Sequence, residues 1–415
     1  MGGRRFDGRR VMVVGLGRFG GQIAAARWLV GQGARVTVTD LAPADKLRGS
    51  LDQLADLPID YRLGGHDERD LAGCDLLVVS PAVPKPKSAF IQAALTRGIP
   101  LSAEMNLFVE RCPAGRIVGV TGSAGKSTTT AMIGAIFAAA QTAGAVRQTW
   151  VGGNIGRSLL GDLDRMTPDD LVVLELSSFQ LEDLGPLRWS PSVAVITNIQ
   201  PNHLDRHGTL AAYAEAKMNI VRYQRPEGVV IIHAGDDEVR RWVTDAGAGP
   251  RVRECVPDPR WACLLKVPGA HNRLNAAAAA AAARAVGLSD EHIAAGLSAF
   301  SGLEHRLEFV AEIDGVRYYN DSKSTTPEST CVAVEAFAGE PVIVLVGGKP
   351  KGASFAEMGR FLARRCRATI CYGEAGPSIH QEVKGTNDGP PVPSAHRVDT
   401  FAEAVRQARE LARPG

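Results

Sequence analysis

Short runs of Val, Ile and Leu alternate along most of the chain with longer stretches of helical character. The runs at Val11–Gly15, Arg35–Thr39, Leu76–Ser80, Ile117–Thr121, Leu171–Leu176, Val193–Asn198, Val229–His233, Val342–Val346 and Ala368–Tyr372 read as strands. Several are apolar at nearly every position, the pattern of a strand covered on both faces. Strands alternating with helices predict βαβ units and parallel sheets. Asp314-Gly315 breaks that rhythm between FVAEI and VRYYN and predicts a hairpin. Ala276–Ala283 is entirely alanine, the best helix former, and predicts a tightly packed helix. Leu210–Tyr223 and Phe401–Ala412 also read as helices.

A chain of 415 residues has room for roughly three domains. Cys112-Pro113-Ala114-Gly115 marks one boundary and Ala311–Gly315 another, which divides the chain into 1–112, 113–312 and 313–415. With 45% apolar and 22% charged residues the composition is that of a globular protein and excludes gross disorder. Lys and Arg number 47 against 45 Asp and Glu, and this near balance argues against a nucleic-acid scaffold. No charge-free apolar run approaches the ~18 residues of a membrane span. Seven cysteines, an odd number with no CxxC pair, read as reduced cytosolic thiols rather than a zinc site or a disulfide framework. A cytoplasmic protein that binds neither membrane nor nucleic acid, and acts as a monomer, is expected.

Two glycine-rich loops carry the first chemistry. GLGRFG places Gly15, Gly17 and Gly20 between a strand and a helix, and Asp40 ends the next strand 20 residues after Gly20. Backbone amides at such a turn approach a nucleotide diphosphate closely. A turn needed only for packing is the competing reading, and the motif does not separate NAD from other diphosphates. VTGSAGKSTTT follows the strand Ile117–Thr121. Its Gly122 and Gly125 form a phosphate-cradling loop, Lys126 neutralises the outer phosphates, Ser127 can bind Mg²⁺, and Thr128 follows in the helix. It departs from the strict Walker pattern, with Val120 standing five residues before Gly125.

The second loop resembles that of the Mur ligase family, TGxxGK[ST], and further segments match the family in order over almost the whole chain. The resemblance implies an α/β fold of three domains: a Rossmann-like N-terminal domain, a central P-loop-type mononucleotide-binding domain and a C-terminal Rossmann-like domain. In ELSSFQLE, Glu175 closes a buried strand, where a carboxylate faces the ligand crevice and can hold Mg²⁺; a surface or capping Glu is the alternative. In TNIQPNHLDRHG, His203 lies past another strand, and the resemblance makes it a ligand of a second Mg²⁺. Lys217, in YAEAKMNI, matches the family's carbamylated lysine, so a carbamate formed from CO₂ is expected to face that metal; by residue type alone it is a solvated charge. Asn272 and Asn275 lie at i and i+3 of the alanine-rich helix, and the resemblance implies contact with ATP adenine; helix capping by Asn272 is the alternative. Arg306 suits a phosphate in transfer, with a salt bridge as its other reading.

NDSKSTTPEST gathers Asp321, Lys323 and Thr325 on one loop, and GGKPKG adds Lys351. The DSK-x-T form resembles the branch of the family that joins D-glutamate to UDP-N-acetylmuramoyl-L-alanine through an acyl phosphate made with ATP. Lys323, Thr325 and Lys351 are expected to hold the amino-acid carboxylates with Asp321 in the same substrate site, Asn154 of GGNIG the acceptor, and the loops bearing Gly15, Gly17, Gly20 and Ser80, with Asp40, the UDP-sugar. Ala124, Asn202 and Pro350 stand where the family usually has Asn, an acid and an acid. The family pattern also continues beyond Arg413-Pro414-Gly415 with a strand and a Ser-Pro-rich segment, so an incomplete third sheet is expected. Two other readings stay open: a catalytically impaired nucleotide-binding protein of this family, and a nicotinamide dehydrogenase built on GLGRFG.

Overall fold

The computed structural model describes residues 6–17, 20–247, 251–350, 352–385 and 394–414. They form two compact units, Met1–Trp261 with Leu274–Ala299, and Ala262–Arg273 with Phe300–Gly415.

The first unit contains two parallel sheets. One comprises β1 (Arg10–Val14), β2 (Arg35–Asp40), β3 (Ile59–Leu63), β4 (Leu76–Val79) and β5 (Leu101–Ser102), in the order β3-β2-β1-β4-β5. The other comprises β6 (Arg116–Thr121), β7 (Thr149–Gly153), β8 (Leu171–Glu175), β9 (Val193–Ile196), β10 (Val229–His233) and β11 (Arg251–Cys255), in the order β11-β10-β9-β6-β8-β7. In both, the chain order reverses beside a central strand, the arrangement in which ligands bind at the carboxyl ends. The central strands VMVV, LLVV, LVVLE and VAVI are buried along their whole length, which accounts for their continuous apolar runs.

The second unit holds the expected hairpin, β12 (Glu308–Ile313) with β13 (Val316–Asn320). Asp314 and Gly315 turn it with φ of 53° and 73°, as a two-residue turn of this kind requires. Its parallel sheet has the order β14-β15-β16, from β14 (Ile343–Gly347), β15 (Ala368–Tyr372) and β16 (Ser394–Arg397).

The hydrophobic pattern did not predict β3, β5, β7, β11 and β16, and each of these lies at the edge of its sheet. Four predicted strands also stop short, leaving Gly15, Ser80, Leu176 and Asn198 in the loops at the carboxyl edges. The alanine run sits in a helix spanning Ala270–Ala285. No helix among the described residues is long and apolar enough to cross a membrane.

Candidate active site

The carboxyl ends of β6, β8 and β9 bring the central motifs together. Gly122 has φ 149°, and a Cβ on it would lie 1.9 Å from Thr197 Oγ1; Gly125 has φ 80°, and a Cβ there would lie 2.6 Å from Asn275 Oδ1. Only glycine fits either position. The loop tip is held through its backbone. Ala124 N donates to Asn198 Oδ1 at 2.9 Å, and Ala124 O accepts from Thr197 Oγ1 and Asn198 Nδ2 at 2.6 and 3.1 Å. Ala124 therefore costs the loop none of these bonds, since its side chain is in none of them. Lys126 Nζ curls back to donate to Gly122 O and Ser123 O at 3.0 and 3.1 Å. The helix Lys126–Thr142 begins with Ser127 and Thr128 in its first turn, and no side chain caps it. The amides of its first turn and its dipole favour an anion at that end.

Glu175 ends β8, beside the strand that feeds this loop. It is 2% exposed; Oε1 accepts from Asn154 Nδ2 at 2.8 Å, and Oε2 is buried with no hydrogen-bond partner among the described residues. A buried carboxylate oxygen without a donor is costly by itself and fits a cation. Lys217 is also buried, 1% exposed, and donates to Gly122 O at 2.9 Å and to Thr121 Oγ1 at 3.3 Å. Its Nζ lies 4.5 Å from the centre of the Tyr213 ring. Burial holds this amine well below the usual lysine range; Lys126 reinforces the effect and Glu175 opposes it. The helix Leu210–Arg222 thus turns Lys217 inward, not to solvent.

His203 sits just before the helix Leu204–His207 with φ 52°, and its N–H donates to Asn202 Oδ1 at 2.9 Å. Asn202 thus supplies an acceptor without the charge of an acid. Partial burial holds His203 below the usual histidine range. Its ring lies 5.1 Å from that of Phe179, which also stacks on His207 at 5.3 Å. Among the described residues no three His, Cys, Asp or Glu side chains gather as a metal cluster. Ser127 and Glu175 offer the oxygen donors that Mg²⁺ prefers, Lys217 would offer them only as a carbamate, and His203 offers a nitrogen.

The first glycine-rich loop has a different support. Gly15, Gly17 and Gly20 all have positive φ. Asp40 Oδ2 accepts from Gly17 N at 3.1 Å and Oδ1 from Ala42 N at 2.8 Å, while Ser50 Oγ donates to Gly17 O at 2.7 Å. Asp40 is therefore engaged with the backbone of the loop. Ser80 follows β4 opposite, with its Cβ 3.2 Å from where one on Gly15 would stand.

Asn275 belongs to the first unit and reaches the phosphate loop, accepting from Thr129 Oγ1 at 3.2 Å. Asn272 belongs to the second, where Nδ2 donates to Pro268 O at 2.6 Å; it is the third residue of its helix, so it does not cap it. In the second unit Arg306 is exposed between His305 and Leu307, both at positive φ. Asp321 Oδ1 accepts from Leu307 N at 3.0 Å, its Oδ2 accepts from Ser324 Oγ, and Lys323 N donates to His305 O at 3.1 Å. The DSK loop thereby fixes the backbone around Arg306. The side chains of Lys323 and Thr325 are exposed. Lys351 lies outside the described residues.

Sequence reasoning passed over Lys85, Asp183, Arg206 and Tyr213. Lys85 Nζ pairs with Asp183 Oδ1 at 2.5 Å, and Arg206 spans to the loop after β4. Arg206 stands within the quoted TNIQPNHLDRHG, but its partners lie more than a hundred residues away and no local spacing marks them.

Family models match the chain in three places: a Mur ligase MurD-like N-terminal domain at residues 9–103, the Mur ligase middle domain at 120–253, and the Mur ligase glutamate ligase domain at 305–415. A relative from Roseiflexus sp. (strain RS-1), named UDP-N-acetylmuramoylalanine--D-glutamate ligase, is 39% identical over 98% of this chain and 92% of its own length. A protein of the same name from Pelotomaculum thermopropionicum is 38% identical over 99% of this chain and 91% of its own. Among solved structures, MurF from Acinetobacter baumannii shares the fold with a TM-score of 0.58 at 19% identity, covering 99% of this chain and 86% of that one.

Proposed function

The chain belongs to the Mur ligase family, and from that premise we propose that it joins D-glutamate to UDP-N-acetylmuramoyl-L-alanine at the expense of ATP, in peptidoglycan precursor synthesis. The observation that carries the reading is the cluster at the carboxyl edge of the central sheet. There Lys126, buried Lys217 and the orphaned oxygen of Glu175 surround one phosphate-binding loop. A dehydrogenase would leave that cluster without a use.

In the proposed reaction an oxygen of the acceptor's carboxylate attacks the γ-phosphorus of ATP, and ADP departs. The amine of D-glutamate then attacks the acyl carbon and loses a proton, and phosphate leaves with the carboxylate's oxygen. Such a transfer needs mainly positioning and charge neutralisation. Gly122, Gly125, Ser127 and Thr128 would cradle the phosphates through backbone amides, and Lys126 would swing from its carbonyl partners onto the outer phosphates. Two Mg²⁺ ions, held by Ser127, Glu175, His203 and carbamylated Lys217, would supply further charge neutralisation. Burial pushes the Lys217 amine well below its usual range, toward the neutral form that reacts with CO₂.

We assign Asn272 and Asn275 to adenine, Arg306 to the phosphate in transfer, and Asn154 to the acceptor. Lys323, Thr325 and Lys351 are assigned to the carboxylates of D-glutamate, and Asp321, through Leu307 and Ser324, to the loop that bears these groups. Gly15, Gly17, Gly20 and Ser80 would meet the UDP-sugar, with Asp40 as the brace of that loop. We divide the chain into domains at 1–112, 113–312 and 313–415, with the third family model starting earlier, at residue 305. A cytoplasmic monomer fits these substrates.

The test is phosphate release by the purified protein with UDP-N-acetylmuramoyl-L-alanine, Mg-ATP and a panel of amino acids. Release and amide formation that depend on D-glutamate are expected. Equal release with L-glutamate, L-lysine or no amino acid would contradict the assignment.

A further inference from the structure

The loop that follows β4 is tied to the helices around the central site, and we infer that Arg206 is a positioning residue. It sets the UDP-sugar end of the acceptor against the phosphate-transfer site by gripping that loop. The guanidinium donates to three successive carbonyls, Nη2 to Pro81 O at 3.2 Å, Nη1 to Ala82 O at 3.1 Å and Nη2 to Val83 O at 3.1 Å. A planar fork of five donors can serve three carbonyls at fixed angles, whereas a lysine ammonium is a single point charge. The guanidinium carbon also lies 4.8 Å from the centre of the Phe179 ring.

The position of Arg206 gives this grip its meaning. It is the third residue of the helix Leu204–His207, which His203 precedes. Phe179 packs against the rings of His203 and His207, so the guanidinium shares the wall that holds His203. On the other side, the gripped loop packs on the first glycine of GLGRFG: a Cβ on Gly15 would lie 2.9 Å from Val83 Cγ2 and 3.2 Å from Ser80 Cβ. Close approach of Val83 to Gly15, the Arg206 hydrogen bonds and the Phe179 ring thus link the first glycine-rich loop to the wall that holds His203.

A second tie runs in parallel. Lys85, two residues past Val83, pairs with Asp183 in the helix Ser178–Leu184, which begins just beyond Glu175. The backbone carbonyl of Asp183 accepts from Asn106 Nδ2 at 2.8 Å. Both ties leave the same loop, and they end on the helices beside His203 and Glu175. An acceptor anchored by its diphosphate at GLGRFG must present its carboxylate at the far end of this frame. A misplacement of about 1 Å at a reacting atom can cost about a hundredfold in rate. Fixing the loop to the helix of His203 sets that span before substrate arrives. The inference rests on the proposed placing of the reaction beside His203, Glu175 and Lys126.

The test compares Arg206→Met, which keeps length and apolar bulk but removes the donors, with Arg206→Lys and with Lys126→Ala. Arg206→Met should lower kcat/KM for the UDP-acceptor about a hundredfold, while the Kd of a magnesium-bound non-hydrolysable ATP analogue stays within about twofold. Arg206→Lys should recover less than a tenth of the loss. A kcat/KM for the acceptor within about threefold of the parent would overturn the inference, as would an equal loss in nucleotide affinity, the mark of a general structural role. Should Arg206→Met not fold, Lys85→Met carries the same comparison through the parallel tie, with the same two outcomes. Lys126→Ala separates the two levels of the argument. If it still ligates at the parental rate, the underlying placing of the reaction fails. If it is inactive and Arg206→Met behaves as the parent, only the clamp fails.

Discussion

The loop after β1 and the loop after β6 begin alike. Each leaves a buried parallel strand, turns through glycines at positive φ and enters a helix that no side chain caps. They part in what surrounds them. Around Gly17 the supports are Asp40 and Ser50, both hydrogen-bonded to backbone, so the described part of the cradle presents amides, while Arg18 of the same loop lies outside the described residues. Around Gly122 stand Lys126, Lys217 and the partly unpaired carboxylate of Glu175. One backbone device can serve as an anchor where it presents dipoles, and as a place for chemistry where buried charge is added to it. Buried charge is costly and gathers where a protein does chemistry, which sets the second loop apart from the first.

The largest break in this comparison is Lys126→Ala. It should lower D-glutamate-dependent phosphate release by about a thousandfold, the order seen for removal of a charge that stabilises a transferring phosphoryl group. Affinity for UDP, measured by calorimetry, should be unchanged, because the anchor loop is separate. Glu175→Gln comes next. It can keep the bond from Asn154 but loses the charge on Oε2, and about a hundredfold loss in kcat with a higher Mg²⁺ requirement is expected in a magnesium titration. Asp40→Asn offers one acceptor where two backbone amides need two. A KM for the UDP-acceptor about tenfold higher with kcat retained is expected, equivalent to the loss of one buried hydrogen bond to a charged group.

The smallest effect on turnover belongs to Glu104, which lies outside both loops and hydrogen-bonds to Ser158. Burial pushes its carboxyl from 4.5 up to about 7, against a smaller opposing pull from Ser158. Between these values the folded protein holds a proton that the unfolded chain has released. Stability should therefore fall as pH rises from 4.5 to about 7, by up to roughly 3 kcal/mol, and then level off. Urea unfolding at pH 5 and pH 8 checks this; Glu104→Gln should flatten the difference, and an unchanged slope would refute it.

The comparison was partly legible in the sequence. Strands buried on both faces announce themselves as unbroken Val/Ile/Leu runs, and residues at or just past their carboxyl ends, Glu175, Gly122 and Asn198, fall at the sheet edge where ligands bind by topology alone. Edge strands such as IDYRL, RVREC and SAHR carry polar residues because one side lacks a partner strand, and the same pattern test passes over them. Asn272 and Asn275 share a helix at i and i+3, yet their bonds differ: Asn275 meets the phosphate loop, and Asn272 turns back to Pro268. Helical spacing gives neither partner. The buried state of Lys217 was likewise invisible to its residue type and follows from the sheet edge packed over its helix. Arg206 and Asp183 act on a loop about a hundred residues earlier in the chain, a relation that exists only after folding.

The most direct test of the account is to follow an oxygen. With UDP-N-acetylmuramoyl-L-alanine labelled with ¹⁸O in its terminal carboxylate, the protein, Mg-ATP and D-glutamate should yield amide and inorganic phosphate in equal amounts. Each phosphate should carry one labelled oxygen, because the carboxylate oxygen leaves with the phosphoryl group. Amide formed alongside unlabelled phosphate would contradict transfer of the γ-phosphoryl group to the acceptor.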